Sequence, residues 1–177
     1  LKEKCISGPA QLFLSMKLSS CVKGYSVETH RTVSPEDTLA RVDPLVPLTG
    51  VTQVNDITDV DRLGIPVFTC TRPGINGKDF VHNGKGATPV AARVSAIMEA
   101  IERYSAEPDG RDLISGSYSG LSGEYPILCP KDLILPRYAD PDAIISWVWA
   151  HDIIRDEPIL LPAQEVFHPL DQSHGSL

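Results

Sequence analysis

The run Asn83-Gly84-Lys85-Gly86-Ala87-Thr88 leads straight into Pro89-Val90-Ala91-Ala92, and the helix that starts there constrains the chain most. Thr88 is a good N-cap and Pro89 suits the first helical position. Ala91, Ala92, Ala96 and Ala100 give high helix propensity and thin flanks that let a sheet or a ligand approach. At about 100° per residue, Ser95, Glu99 and Glu102 fall within roughly 60° of one another. Val90, Ile97, Ile101 and Tyr104 gather on the opposite side as a core stripe.

This pattern has a chemical reading. A helix start offers backbone N–H groups and a partial positive charge to an anion. Gly84 and Gly86 are expected to form a turn with positive φ and close backbone approach, and Lys85 is within reach of a phosphate. Glu99 and Glu102 stand at i and i+3, where like charges repel by a few tenths of a kcal/mol. A Mg²⁺ ion shared with the anion would convert that cost into a site. The run is not a Walker A loop, because Gly84-Lys85-Gly86 lacks the first glycine and the hydroxyl after the lysine. The same spacing also fits a solvated acidic face on which Glu99 pairs with Arg103.

Composition narrows the classes. The 177 residues suit one domain or part of a larger one, and 42% hydrophobic residues are enough for a packed core. A net charge of −7 without any basic run argues against a general nucleic-acid binder. No stretch is long and apolar enough to cross a bilayer, and no signal-peptide pattern opens the chain. Cys5, Cys21, Cys70 and Cys129 are far apart with no CxxC pair, so zinc is not expected. Reduced thiols in a cytoplasmic protein are the simpler expectation, with Cys70 in the core. The chain begins without methionine and stops just after a strand pair, which reads as an incomplete protein.

Punctuation gives the organisation. Residues 1–30 have no clear pattern. Ser34-Pro35-Glu36-Asp37 is a capping box that opens a short helix through Leu39 and Val42. Val51 to Ile57 alternates as a strand, and Ile65 to Thr71 reads as a more buried one. Gly74 to Asp79 is a turn, with a third strand beginning at Phe80-Val81-His82. Residues 108–142 are rich in Pro and Gly with little periodicity. Ser146 to Ala150 and Ile159 to Ala163 are expected to form a hairpin, with Trp147 and Trp149 expected on opposite sides. The expected class is α+β, with layered mixed or antiparallel sheets and packed helices.

In order along the chain stand His30-Arg31, Ser34-Pro35-Glu36-Asp37-Thr38-Leu39, Gly50-Val51-Thr52-Gln53-Val54, Asp61-Arg62-Leu63-Gly64-Ile65-Pro66-Val67 and Arg72-Pro73. After them come Gly84-Lys85-Gly86-Ala87-Thr88, Ser95-x-x-x-Glu99-x-x-Glu102-Arg103 and Leu161-Pro162-Ala163-x-x-Val166-Phe167. This ordered set resembles the N-terminal half of a YcaO-family protein over residues 31–177, with 1–30 as a preceding segment. The resemblance implies ATP and Mg²⁺ as cofactors, with Glu99 and Glu102 binding the metal and Ser95 contacting the nucleotide. It places Arg31 where the family often aims a basic residue at phosphate, and Thr38 where a small hydroxyl residue sits. Lys85 joins them as a candidate nucleotide contact.

Family members use ATP to phosphorylate a backbone amide oxygen of a peptide or protein, so that it can leave as phosphate. A neighbouring Cys, Ser or Thr nucleophile then gives an azoline, and a sulfide source gives a thioamide. Asp61 to Pro73 and Ile97 to Glu107 resemble the stand-alone archaeal members. Those are associated with a TfuA-like partner and with thioamidation of a glycine in methyl-coenzyme M reductase. The expected activity is therefore protein thioamidation. Azoline formation by a peptide cyclodehydratase is the alternative, and so is a non-catalytic half that docks on a partner through apolar surface near Val148, Leu160 and Val166. A homo-oligomer is expected. A full member continues into a second helix with paired glutamates, which is absent from this sequence.

Overall fold

A computed structural model describes residues 18–26, 29–74, 77–108 and 112–177. Cys5 and most of the unpatterned N-terminal segment lie outside the described residues. The class is α+β, and the pairs between strands are antiparallel. The described residues divide mainly into two compact units, residues 20–105 and residues 106–177. No helix among them is long and apolar enough to cross a membrane.

The first unit opens with a short ladder of β1 (Gly24–Ser26) and β2 (Thr29–Arg31). Helix α1 (Pro35–Val42) starts at Ser34, whose hydroxyl oxygen accepts from the Asp37 amide at 3.1 Å and whose hydroxyl donates to the Asp37 carboxylate at 2.8 Å. A 3-10 segment, Asp43–Thr49, carries on to Gly50, where φ is 74°. The sheet runs β3 (Gln53–Asp56), β4 (Val67–Pro73), β5 (Asp79–Lys85), with β4 central. Helix α2 (Pro89–Ser105) packs across one face of it. The Thr88 hydroxyl oxygen accepts from the Ala91 amide at 3.2 Å, as expected of an N-cap.

Two expectations change here. Gly84 and Lys85 belong to β5 rather than to a turn, and neither Gly84 nor Gly86 has positive φ. A Cβ at Gly84 would collide with the Ala96 amide and the Ala92 carbonyl, and one at Gly86 would lie 2.7 Å from the Ala91 Cβ. The glycines therefore let the backbones of strand and helix touch. The core line of α2 also differs. Ala92, Ala96, Ile97 and Ala100 are fully buried, whereas Tyr104 is exposed. The close sheet is met by the alanine flank together with Ile97, with Ile101 partly buried beside them, and only Tyr104 at the end of the stripe turns outward. Cys70 and Val42 complete this core, with Phe68, Val54 and Leu39 around it. Burial pushes the Cys70 thiol up to about 11, as expected of an inert core thiol.

The second unit is a sheet of β6 (Ile114–Gly116), β7 (Ile145–Asp152) and β8 (Glu157–Pro162), with the one-turn helix α3 (Tyr118–Leu121) after β6. The Asp152 carboxylate caps the β7–β8 turn by accepting from the Ile154 and Arg155 amides. Trp147 is fully buried and its indole N–H donates to the Gly116 carbonyl at 2.8 Å. Trp149 packs against the same cluster, edge-on to Tyr125, and Val148 lies in the other one. The two tryptophans therefore share a face rather than facing opposite sides, because residues i and i+2 of a strand point the same way. Val148 and Leu160 are buried within this unit, so two of the three residues named for an apolar docking surface are already covered.

Candidate functional site

The six residues singled out from the sequence converge. Arg31, Thr38, Lys85, Ser95, Glu99 and Glu102 all line one cavity of about 700 Å³ in the first unit. Four elements bring them there. Arg31 ends β2, Thr38 lies on α1, Lys85 ends β5, and the other three share one face of α2. Thr88 and Gly86 form part of the wall, so the start of α2 opens on the cavity. The sequence named Glu36 and Arg103 only as motif members, yet both line the same space.

Local bonding fixes several of these groups. The Thr38 hydroxyl donates to the Ser34 carbonyl at 2.8 Å, which leaves its oxygen as an acceptor. The pairing of Glu99 with Arg103 that i,i+4 spacing allows does not form. Glu99 Oε2 instead accepts from the Asn83 amide of β5 at 3.3 Å, and Oε1 lies 3.9 Å from His82 Nδ1. Behind Glu99 is a buried polar pair. The Arg72 Nε–H donates to His82 Nε2 at 3.3 Å, and the Arg72 guanidinium lies 5.4 Å from the Phe80 ring centre. Arg72 and His82 are only 5% and 6% exposed. Burial, and then the Arg72 charge, hold His82 below the ordinary imidazole value against the opposing pull of Glu99. Sequence reasoning placed His82 only on the third strand. Its partner emerges only once the β4–β5 register sets Cys70 opposite His82 and Arg72 opposite Phe80.

The donor set can be tested against nucleotide and metal. The cavity collects the cations Arg31, Lys85 and Arg103, the hydroxyls of Thr38, Thr88 and Ser95, and a helix start. That is the chemistry a polyphosphate needs. No group of three or more His, Cys, Asp or Glu among the described residues is placed to hold a metal ion by itself. A pair such as Glu99 and Glu102 suits Mg²⁺, which keeps several waters and takes one or two carboxylates together with phosphate oxygens. The residues fit Mg²⁺ with a bound polyphosphate better than a metal held by protein alone.

Comparison with known proteins agrees with this chemistry. The family model described as YcaO cyclodehydratase, ATP- and Mg²⁺-binding, matches residues 83–177. That stretch contains Lys85, Ser95, Glu99 and Glu102, while Arg31 and Thr38 precede it. An uncharacterised protein of Methanothermobacter thermautotrophicus is 38% identical over 148 residues, which are 83% of this chain and 38% of that protein. An uncharacterised protein encoded in the tfuA 3′ region of Rhizobium leguminosarum bv. trifolii is 34% identical over 78% of this chain and 33% of its own length. Among solved structures, YcaO from Methanopyrus kandleri bound with AMPPCP and Mg²⁺ has a TM-score of 0.62 at 34% identity, covering 82% of this chain and 36% of that one. A heterocyclase in complex with substrate and cofactor shares the fold, with a TM-score of 0.68 at 22% identity over 94% of this chain and 26% of its own. The chain thus spans 26% to 38% of the length of these relatives. With the family model matching more than half of its residues, this chain belongs to the YcaO family, whose cofactors are ATP and Mg²⁺.

Proposed function

We propose that this chain forms one wall of an ATP–Mg²⁺ site that activates a peptide backbone amide by phosphorylation. The convergence of six residues from four elements on one cavity carries the reading. In it, Glu99 and Glu102 take Mg²⁺. Arg31 and Lys85 face the phosphates, and Ser95 and Thr38 hydrogen-bond the nucleotide. An amide oxygen is a poor leaving group until it carries a phosphoryl group. Cations and metal around the transferred phosphoryl oxygens stabilise the charge that develops during transfer. The start of α2 and the three basic side chains give this wall the matching polarity.

Thioamidation of a protein glycine, such as that of methyl-coenzyme M reductase, is the favoured outcome, with a TfuA-like protein as partner. Two observations support it. One relative at 38% identity is archaeal, and another is encoded beside tfuA. Azoline formation remains the second reading, because the family model carries the name cyclodehydratase.

Binding of a non-hydrolysable ATP analogue to the intact protein tests the site. Saturation at about 100 times Kd adds about 2.7 kcal/mol of stability, visible as a rise in Tm with Mg²⁺. Glu99→Gln and Glu102→Gln are each expected to abolish most of the Mg²⁺-dependent part. An unchanged Tm for the native protein with nucleotide and Mg²⁺ would falsify the site.

A further inference from the structure

We propose that His82 is a positioning residue. Fixed in one tautomer by Arg72, it holds the Glu99 carboxylate at the cavity wall in the orientation that accepts a divalent cation. The inference rests on the ATP–Mg²⁺ reading of the cavity and deepens it.

The argument starts from what each group can do. A guanidinium only donates, so His82 Nε2 must accept from Arg72 Nε–H, and in the neutral ring the remaining proton sits on Nδ1. Nδ1, the ring's donor, then lies 3.9 Å from Glu99 Oε1, too far for a hydrogen bond in this arrangement and close enough for its N–H dipole to favour one orientation of the carboxylate. Oε2 is held by the Asn83 amide at 3.3 Å. Oε2 is therefore bonded, and Oε1 approached, from the β5 side. A carboxylate has about four acceptor positions, which leaves the others for the cavity that Glu99 lines.

The support behind His82 is rigid. Arg72 and His82 are neighbours on the sheet face beneath α2, both are buried, and Phe80 packs against the guanidinium. Burying Arg and His beside a core of alanines, isoleucine and cysteine is costly unless both are bonded. Packing alone has no need of them. What the arrangement delivers is a single oriented donor aimed at one carboxylate, the pattern by which outer-shell groups set metal ligands.

The test compares His82→Phe, which keeps ring volume without a donor, with His82→Asn, whose amide nitrogen stands near the Nδ1 position. Binding of the ATP analogue to the intact protein is titrated with Mg²⁺ and repeated in EDTA. His82→Phe is expected to need about 10-fold more Mg²⁺ for half-maximal binding, with affinity in EDTA unchanged and with His82→Asn restoring most of the loss. If His82→Phe does not fold, His82→Gln replaces it, since its amide reaches toward Arg72 and not toward Glu99. A donor-less variant with the native Mg²⁺ requirement overturns the inference and leaves the site reading intact. Equal losses in His82→Phe and His82→Asn, with or without Mg²⁺, overturn it in favour of packing. A native protein that binds no nucleotide overturns the site reading and this inference together.

Discussion

Gly84 shows how a single residue ties sheet to site. It lies on β5 where α2 crosses, and any side chain there meets helix backbone at Ala92 and Ala96. Backbone cannot rotate away, so Gly84→Ala must push α2 off the sheet. Overpacking of this kind typically costs about 1–3 kcal/mol. The expected outcome is a lower urea midpoint with an unchanged m-value, together with weaker nucleotide binding, because Ser95 and Glu99 ride on the displaced helix. An unaltered midpoint would mean that the contact is not tight. The sequence marks Gly84 as special and does not say why. Glycine serves both positive φ and close approach, and only the partner across the gap separates the two. Glu99 was legible in the same partial way. Its place beside Ser95 and Glu102 on one helix face followed from spacing, but its bond to Asn83 and its approach to His82 depend on β5.

At the scale of elements, local signals sufficed where caps and periodicity agreed. Helix α1 begins at its Ser34 cap, α2 begins at Pro89 after Thr88, and β7 and β8 pair around Arg155-Asp156. They failed where tertiary partners decide. Residues 108–142 show little periodicity, yet they contain β6 and α3, which close the Trp147 core. Tyr104 falls on the expected apolar stripe but is exposed, because the helix turns its alanines to the sheet. Helix α1 offers a clean test. Ser34 satisfies the Asp37 amide, and its backbone carbonyl receives the Thr38 hydroxyl. Ser34→Ala removes the cap and is expected to cost about 1 kcal/mol, read by chemical denaturation. Thr38 should keep its backbone partner, so the variant's ATP affinity should change little in the folded protein.

For the molecule as a whole, the matched relatives are more than twice as long as this chain. The cavity holds a carboxylate pair and not a complete metal cage among the described residues. In-line phosphoryl transfer requires charge stabilisation on more than one side of the transferred group. Residues 1–177 expressed alone are therefore expected to release no phosphate from ATP above background in a coupled phosphate assay. Turnover at the rate of an intact family member would show that one wall is enough.

The hold of Glu99 on Asn83 has a consequence for solubility. Strand β5 is the last strand of its sheet among the described residues, and Val81, two residues before Asn83, is 56% exposed. An open amide beside an exposed β-branched side chain invites another molecule to add a strand. Glu99 occupies that amide with a charged group, so the carboxylate that lines the cavity is also expected to discourage strand addition at this edge. Truncating it to alanine is expected to remove a carboxylate from the cavity wall and to uncover that amide in one step, whereas glutamine keeps an acceptor there.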